Sequence, residues 1–414
     1  MKPNQSQKNI TAEWKPLKLG DIGKAIIGLT YQPEDVVSNG GTLVFRSSNV
    51  KDGRIDYSDQ VRVLSNIPES LKIKEGDILI CARNGSQNLI GKNALITKAD
   101  EGNTFGAFMS VFRSKNSKYL YHLFQSQLFK KEIKKDLGPT INQVTTGNLH
   151  SFKFHFPPLP EQNRIVFVLE TWDKAIEKLT QKIEIKKQIK KGLMQDLLTG
   201  KKRLSGFKGE WKIVKLKELT KKIGSGITPH GGSDVYTKKG VIFLRSQNIQ
   251  NGYLNLADVE YISDEIDARM NNSRVSKNDI LYNITGASIG RSSLYSLSDR
   301  ANVNQHVCII RLKNDNPKFV NYFLLSWSGT KQLDGFQAGG NRQGLNYNQL
   351  GSFKLLLPPL PEQTAIANIL TIADEEITEL EKKLSILKDQ KKYLLNNLIT
   401  GNIRTPENLL EKMR

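Results

Sequence analysis

Five histidines, two cysteines and one glycine-flanked lysine are the residues most able to do chemistry in this sequence, and each set fails on spacing. His122, His150, His155, His230 and His306 form no HExxH motif or other paired pattern of the kind a zinc site requires. Cys81 and Cys308 share no metal-ligand spacing and read as reduced, buried thiols of a cytosolic protein. In GSQNLIGK (85–92) the glycines are six residues apart, one more than in a phosphate loop, and Asn93 follows Lys92 where that loop has Ser or Thr. No glycine-rich turn follows a strand in the manner of a dinucleotide site. Triplets such as Glu132–Lys134 lie in helical charge runs and read as a solvated face. What remains is charge and hydrogen bonding. The chain reads as a binder, with no catalytic residue, metal or cofactor of its own.

The charge is large and evenly divided. A formal net charge of +20 over 414 residues suits a polyanionic partner, with nucleic acid favoured over an anionic membrane. Residues 1–156 carry +8 and residues 204–357 carry +8, while 157–203 add +5 and 358–404 come to −1. The opening MKPNQSQKNI is polar and reads as no secretory signal. No apolar run approaches the roughly 20 residues of a membrane span, so a cytoplasmic location is expected.

The two equal loads sit in two copies of one sequence. Shifted by 201 residues, SFKFHFPPLPEQ meets SFKLLLPPLPEQ, and LLTG (197–200) meets LITG (398–401), without a gap. Upstream, EWKPLKLGDI (13–22) pairs with EWKIVKLKEL (210–219) and FRSSNV (45–50) with LRSQNI (244–249). EGDILI (75–80) pairs with KNDILY (277–282), and SVFRSKN (110–116) with CIIRLKN (308–314). A period this long marks a domain duplication, not a solenoid. Each copy opens with β-branched and aromatic runs bounded by Gly, Asn and Asp, such as TLVFRSSNV and GDILICA, or GVIFLRSQNI and NDILYNI. Each globular part closes on a helical stretch, KYLYHLFQSQLFKKEIKK or PKFVNYFLLSWSGTKQL. The expected fold class is α+β: two globular mixed α/β domains at 1–156 and 204–357, helical regions at 157–203 and 358–404, and a tail at 405–414.

Two long helices must connect these parts. Ile165, Leu169, Trp172, Ile176, Leu179, Ile183, Lys186, Lys190, Leu193 and Leu197 step by four and three. Ile366, Leu370, Ala373, Ile377, Leu380, Leu384, Leu387, Lys391, Leu394 and Leu398 keep the same phase. A period of 3.5 over four heptads is a coiled-coil seam, and the matched Lys190 and Lys391 are expected to set its register. Pro160 and Pro361 suit a helix's first turn, and Glu161 and Glu362 are expected to face the positive end of its dipole. Gly200 and Gly401 stand where left-handed caps would end the helices. With connections this short, the helices are expected to pair antiparallel, giving internal pseudo-twofold symmetry.

Two basic domains, each followed by PPLPEQ, a heptad helix and LLTG or LITG, resemble the specificity subunit of type I restriction–modification systems over essentially the whole chain. GFKGEW (206–211), opening the second domain, adds to the likeness; ITAEW (10–14) lacks the Gly-Phe. The resemblance implies two target recognition domains, each reading one half of a bipartite site in double-stranded DNA. It implies helices that set the spacer and dock two modification subunits, which methylate adenine with S-adenosylmethionine. Restriction subunits with ATP- and Mg2+-dependent translocase and nuclease activity complete the complex, and the specificity subunit catalyses nothing. A second reading, a coiled-coil scaffold whose basic halves bind RNA or acidic proteins, predicts affinity insensitive to DNA sequence.

If the domains share mechanics but read different bases, the repeat sorts their residues. Arg46 with Arg245, Asn49 with Asn248 and Arg113 with Arg311 are shared, and are expected to be scaffold or to contact DNA phosphates, which position without specifying. Polar loop residues that differ are expected to read bases. In the first domain these are Tyr31, Gln32, Ser48, Arg83, Asn84, Gln87, Asn88 and Lys92. In the second they are His230, Gln247, Asn283, Thr285, Asn304, Gln305, Asn341, Arg342 and Gln343. Arg and Lys suit guanine; Asn and Gln suit adenine.

Overall fold

The computed structural model describes residues 13–137, 142–337 and 344–410. They form two compact units: one runs to Thr180 and resumes at Lys382, and the other is Gln181–Glu381. Each globular part therefore keeps half of each long helix.

In the first unit the main sheet orders Lys24–Ile27, Met109–Arg113, Ile78–Cys81 and Asn93–Leu95, all antiparallel. Ile78–Cys81 is buried on both faces, which is why its sequence is an unbroken apolar run. Alternate residues enter different cores, as the two-residue strand period dictates. Ile78 and Ile80 join Phe112, Phe124 and Phe129, whereas Leu79 and Cys81 join Phe45, Phe105 and Val111. The second unit repeats this sheet with Thr220–Ser225, Val307–Leu312, Ile280–Asn283 and Ser292–Leu294. A smaller sheet differs between the units at its edges. Val36–Val37 flanks Arg62–Val63 in the first, and Arg274–Val275 flanks Ala301–Val303 in the second.

The helical stretches that close the domains are not single helices, as the sequence suggested. Ser117–Gln125 and Gln127–Asp136 replace one, and Pro317–Leu325 and Trp327–Gln337 the other. The breaks fall at the matched serines 126 and 326, whose backbones are extended. Ser126 Oγ accepts from the amide of Phe129 at 3.4 Å and donates to the carbonyl of Leu123 at 2.6 Å. Ser326 does the same with Gly329 and Phe323. One side chain ends a helix and caps the next.

The long helices are Leu159–Leu198 and Leu360–Ile399, 40 residues each, or about 60 Å of helix. Pro160 and Pro361 lie in the first turns, and Gly200 and Gly401 adopt φ of 70° and 73° just past the ends, as expected. Every expected seam residue is buried or half-buried, while neighbours such as Lys174, Lys182 and Lys388 are exposed. Within the first unit Ile165 and Leu169 share a core with Leu395, Leu398 and Ile399. Within the second, Leu193 and Leu197 share one with Ile366 and Leu370. The packing is antiparallel in both. Both seam lysines find carboxylates: Lys391 pairs with Asp173 in the first unit, and Lys190 pairs with Asp374 at 2.5 Å in the second. The 201-residue shift converts one pair into the other, so both polar seam positions are paired in the same way.

The phrase PPLPEQ turns out to be a closing device. Glu161 and Glu362 do not simply face a helix dipole; both are buried and charge-paired. Glu362 accepts from Trp211 Nε1 at 2.9 Å and takes both arms of the Arg203 guanidinium, at 3.1 and 2.6 Å. Glu161 accepts from Trp14 Nε1 at 3.2 Å and takes both arms of Arg404, whose Nη2 lies at 2.7 Å. Gln162 and Gln363 donate back to the carbonyls of Pro157 and Pro358, each at 2.9 Å. Behind them Lys15–Lys18 pairs with Lys153–Phe156, and Lys212–Lys215 with Lys354–Leu357, tying the start of each domain to the approach of its helix. Among the described residues no helix is long and apolar enough to cross a membrane.

His122 makes the first unit sensitive to acid. It lies buried on Ser117–Gln125 with no partner for Nδ1 among the described residues. Burial first, then Lys391 and Lys118, push its imidazole down to about 3. The folded chain therefore holds it neutral, whereas the unfolded chain protonates it below about 6.5. Its contribution to stability is complete above about pH 6.5 and is lost as pH falls towards 3, by about 1.4 kcal/mol per unit. In urea unfolding of the chain between pH 6.5 and 4.5, the wild type should lose stability more steeply than His122→Leu, the difference approaching that slope. Equal slopes in the two proteins would contradict the assignment.

Candidate nucleic-acid interface

Three loops meet at one end of the main sheet of the first unit. They leave Ile78–Cys81, enter Met109–Arg113, and pass through residues 142–144. The amides of Ala82 and Arg83 both donate to the carbonyl of Phe108, at 3.0 and 2.9 Å, and Val144 donates to the carbonyl of Ala82 at 2.8 Å. Arg83 also bridges Gln143. On this frame the Arg83 guanidinium lies 5.1 Å above the centroid of the Phe108 ring. Beside it a cleft of about 620 Å³ is lined by Tyr31, Arg46, Ser48, Asp59 and Phe108, among others. Asn84 Nδ2 reaches Ser47 Oγ at 3.1 Å, and Lys92 Nζ reaches the Ser47 carbonyl at 3.4 Å. Six expected readers and contacts thus converge here: Tyr31, Arg46, Ser48, Arg83, Asn84 and Lys92. Gln87 and Asn88 are exposed on the short turn Gln87–Leu89, and Gln32 is exposed where it caps Pro33–Asp35.

The second unit carries the same frame with different side chains. Ile284 donates to the carbonyl of His306 at 3.0 Å, Leu345 donates to that of Ile284 at 2.8 Å, and Thr285 bridges Gly344. Thr285 Oγ1 and His306 Nδ1 are 2.6 Å apart; Gln305 contacts His306 Nε2 at 3.2 Å and bonds Thr228. Gln247 is exposed and donates to Asp258 at 2.5 Å, and His230 is exposed ahead of Gly231. Asn341, Arg342 and Gln343 lie outside the described residues.

Several of the named residues brace the fold. Asn49 and Asn248 are fully buried. Asn49 accepts from the Arg46 amide at 2.9 Å and donates to the carbonyls of Asp56 and Asp59; Asn248 repeats this with Arg245, Asn255 and Asp258. Arg113 and Arg311 stand at the opposite ends of their strands from the loops. Each forks onto a buried carboxylate, Asp77 at 2.7 and 2.6 Å or Asp279 at 2.8 and 2.7 Å. Arg46 remains at the cleft but pairs with Asp59 at 2.6 Å; Arg245 pairs with Asp258 and Glu260. They brace the loop in the unbound chain. Asn283 is buried and donates to the Ser246 carbonyl and Ser288 Oγ, and Asn304 is buried where it accepts from the His306 amide. These two hold turns and are buried, unlike the exposed Gln247 and His230.

Sequence reasoning missed Phe108 and His306, which sit at equivalent points of the two frames. It also missed Asp59 and Asp258, although aligning the copies through Arg46 and Arg245 pairs them. Burial pushes the Cys81 thiol up to about 11 and the Cys308 thiol up to about 12, so both stay protonated. Among the described residues no cluster of His, Cys, Asp and Glu could hold a metal ion. The buried amide gives a direct check on the frame. Asn49→Ala leaves three backbone groups without their partner, each such loss costing about 1–3 kcal/mol. It should lower the urea midpoint clearly, whereas Ser48→Ala, on the exposed neighbour, should not; equal midpoints would contradict the bracing role.

Comparison with known proteins places this geometry. The chain is 28% identical to a putative type I restriction enzyme MjaX specificity subunit of Methanocaldococcus jannaschii over 95% of both chains. It is 23% identical to the EcoKI specificity subunit of Escherichia coli, over 94% of this chain and 89% of that one. Its fold resembles the type I restriction–modification S subunit from M. genitalium, with a TM-score of 0.57 at 16% identity, covering 96% and 98% of the two chains. A chain from a structural study of type I R-M complex assembly gives a TM-score of 0.60 at 17% identity, covering 95% and 99%. The family described as type I restriction modification DNA specificity domain matches twice, at residues 11–187 and 208–388, and with most of its length so matched the chain belongs to that family.

Proposed function

We propose that the chain is the DNA-specificity subunit of a type I restriction–modification complex, each domain reading one half of a split site in double-stranded DNA. The observation that carries this is the repeated loop frame. Matching backbone links, at Ala82, Val144 and Arg83–Gln143 in one unit and at Ile284, Leu345 and Thr285–Gly344 in the other, underlie Arg83 and Phe108 on one side and Thr285 and His306 on the other. One scaffold bearing two sets of hydrogen-bonding groups suits the reading of two different half-sites. The matched charge of +8 per domain supports approach to the phosphate backbone.

In this reading the long helices set the spacer and carry the modification subunits. Those subunits methylate adenine using S-adenosylmethionine, and restriction subunits supply the ATP- and Mg2+-dependent steps. The chain itself is non-catalytic: it holds DNA in register while a partner extrudes the adenine.

Co-expression with the modification subunit, followed by sequencing for methyladenine, tests the proposal. The expected product is one split motif with one methylated adenine per half, on opposite strands. Methylation by this chain in a host without any partner subunit would contradict it. A seven-residue insertion beside Lys186, matched by one beside Leu387, lengthens each helix by about 10 Å. At about 3.4 Å per base pair the spacer should grow by roughly one to three pairs, with both half-sites unchanged. An unchanged spacer in an active variant would overturn the ruler.

A further inference from the structure

We propose that Arg83 and Phe108 are the base-reading pair of the first domain, taking a guanine and an adjacent thymine in the major groove. The inference rests on the reading of that domain as a half-site reader and names the chemistry it recognises. Among the described residues no carboxylate pairs with Arg83, whereas Arg46 and Arg113 are both committed to aspartates. Phe108 is 60% exposed on the rim of the cleft, where a ring of this kind is ordinarily buried. Both side chains leave a backbone fixed by the two amides that converge on the Phe108 carbonyl.

The chemistry of each group selects its partner. A guanidinium lying over an aromatic face is stacked without losing its planar fork, and the fork matches two acceptors on one edge. In the major groove that edge is O6 and N7 of guanine. The ring has no polar atom, and the apolar group the groove offers is the C5 methyl of thymine. The guanidinium and the ring centroid are 5.1 Å apart, less than two steps of about 3.4 Å per base, a separation that suits neighbouring bases. At the equivalent place Thr285 and His306 are bonded to each other and offer neither a fork nor a bare ring. The second half-site should therefore carry no matching preference at that position.

The test uses the full chain with its modification subunits. Methyladenine sequencing compares wild type with Arg83→Ala, Arg83→Lys and Phe108→Ala, and thermal melting confirms that each variant is folded. Arg83→Ala should relax a single guanine of one half-site by about ten- to a hundredfold, and Arg83→Lys, which keeps the charge but not the fork, should relax the same base. A second measurement needs no variant: wild type should bind a site with uracil at the neighbouring thymine more weakly, and Phe108→Ala should bind both alike. An unchanged motif, a loss spread evenly over all positions, or full guanine selectivity in Arg83→Lys would overturn the assignment. If wild type yields no split motif, the half-site reading falls and this pair with it; a split motif indifferent to Arg83 and Phe108 overturns the pair alone.

Discussion

A buried carboxylate at the first turn of each long helix is the interaction on which the rest of the structure depends. Glu161 and Glu362 are almost wholly withdrawn from water, an expensive position for a charge unless it is paired and hydrogen-bonded. Each is satisfied by a forked arginine and an indole N–H. In the first unit three distant stretches thereby meet at one point, Trp14, Glu161 and Arg404; in the second, Arg203 and Trp211 lie eight residues apart and meet the distant Glu362. Arg203 follows Gly200 and Arg404 follows Gly401, so the clamp closes each unit with a segment far away in sequence. Removing either partner would strand a charge that the protein interior cannot solvate.

Closure of this kind separates two tasks. The clamp, the short paired strands behind it and the main sheet are held to one pattern in both units. The loop end of that sheet is free to differ, because its backbone is secured by its own hydrogen bonds and by Asn49 or Asn248. The units differ in side chains at that end, in the edge strands of the smaller sheet, and in the helix Asp264–Arg269 of the second. This division suits the proposed reading of unlike half-sites by one repeated frame.

Much of the architecture was legible in the sequence because it is periodic or repeated. Heptads, proline at the helix start and glycine past its end are local signals with local causes. The serine breaks at 126 and 326 were equally visible in the repeat but were overridden by the apolar pattern running through them. The site was harder to read. Identity between copies marks scaffold and phosphate contacts alike, so it does not separate them for Asn49, Asn248, Arg113 and Arg311, whose partners are Asp77, Asp279 and loop carbonyls. Phe108 sits against an apolar strand and reads as core until the strand's end is located. The role of Glu161 depends on Arg404, and no local pattern connects residues 243 positions apart.

If each clamped unit is a self-contained reader, as proposed, half of the specificity should transfer with one domain. Replacing residues 13–156 with those of another family member, in a chain that keeps its own second domain and both helices, tests it most directly. Sequencing methyladenine in a host expressing the hybrid and the modification subunit should reveal a motif with one new half, the other half unchanged and the spacer retained. A motif in which both halves change together would contradict the claim.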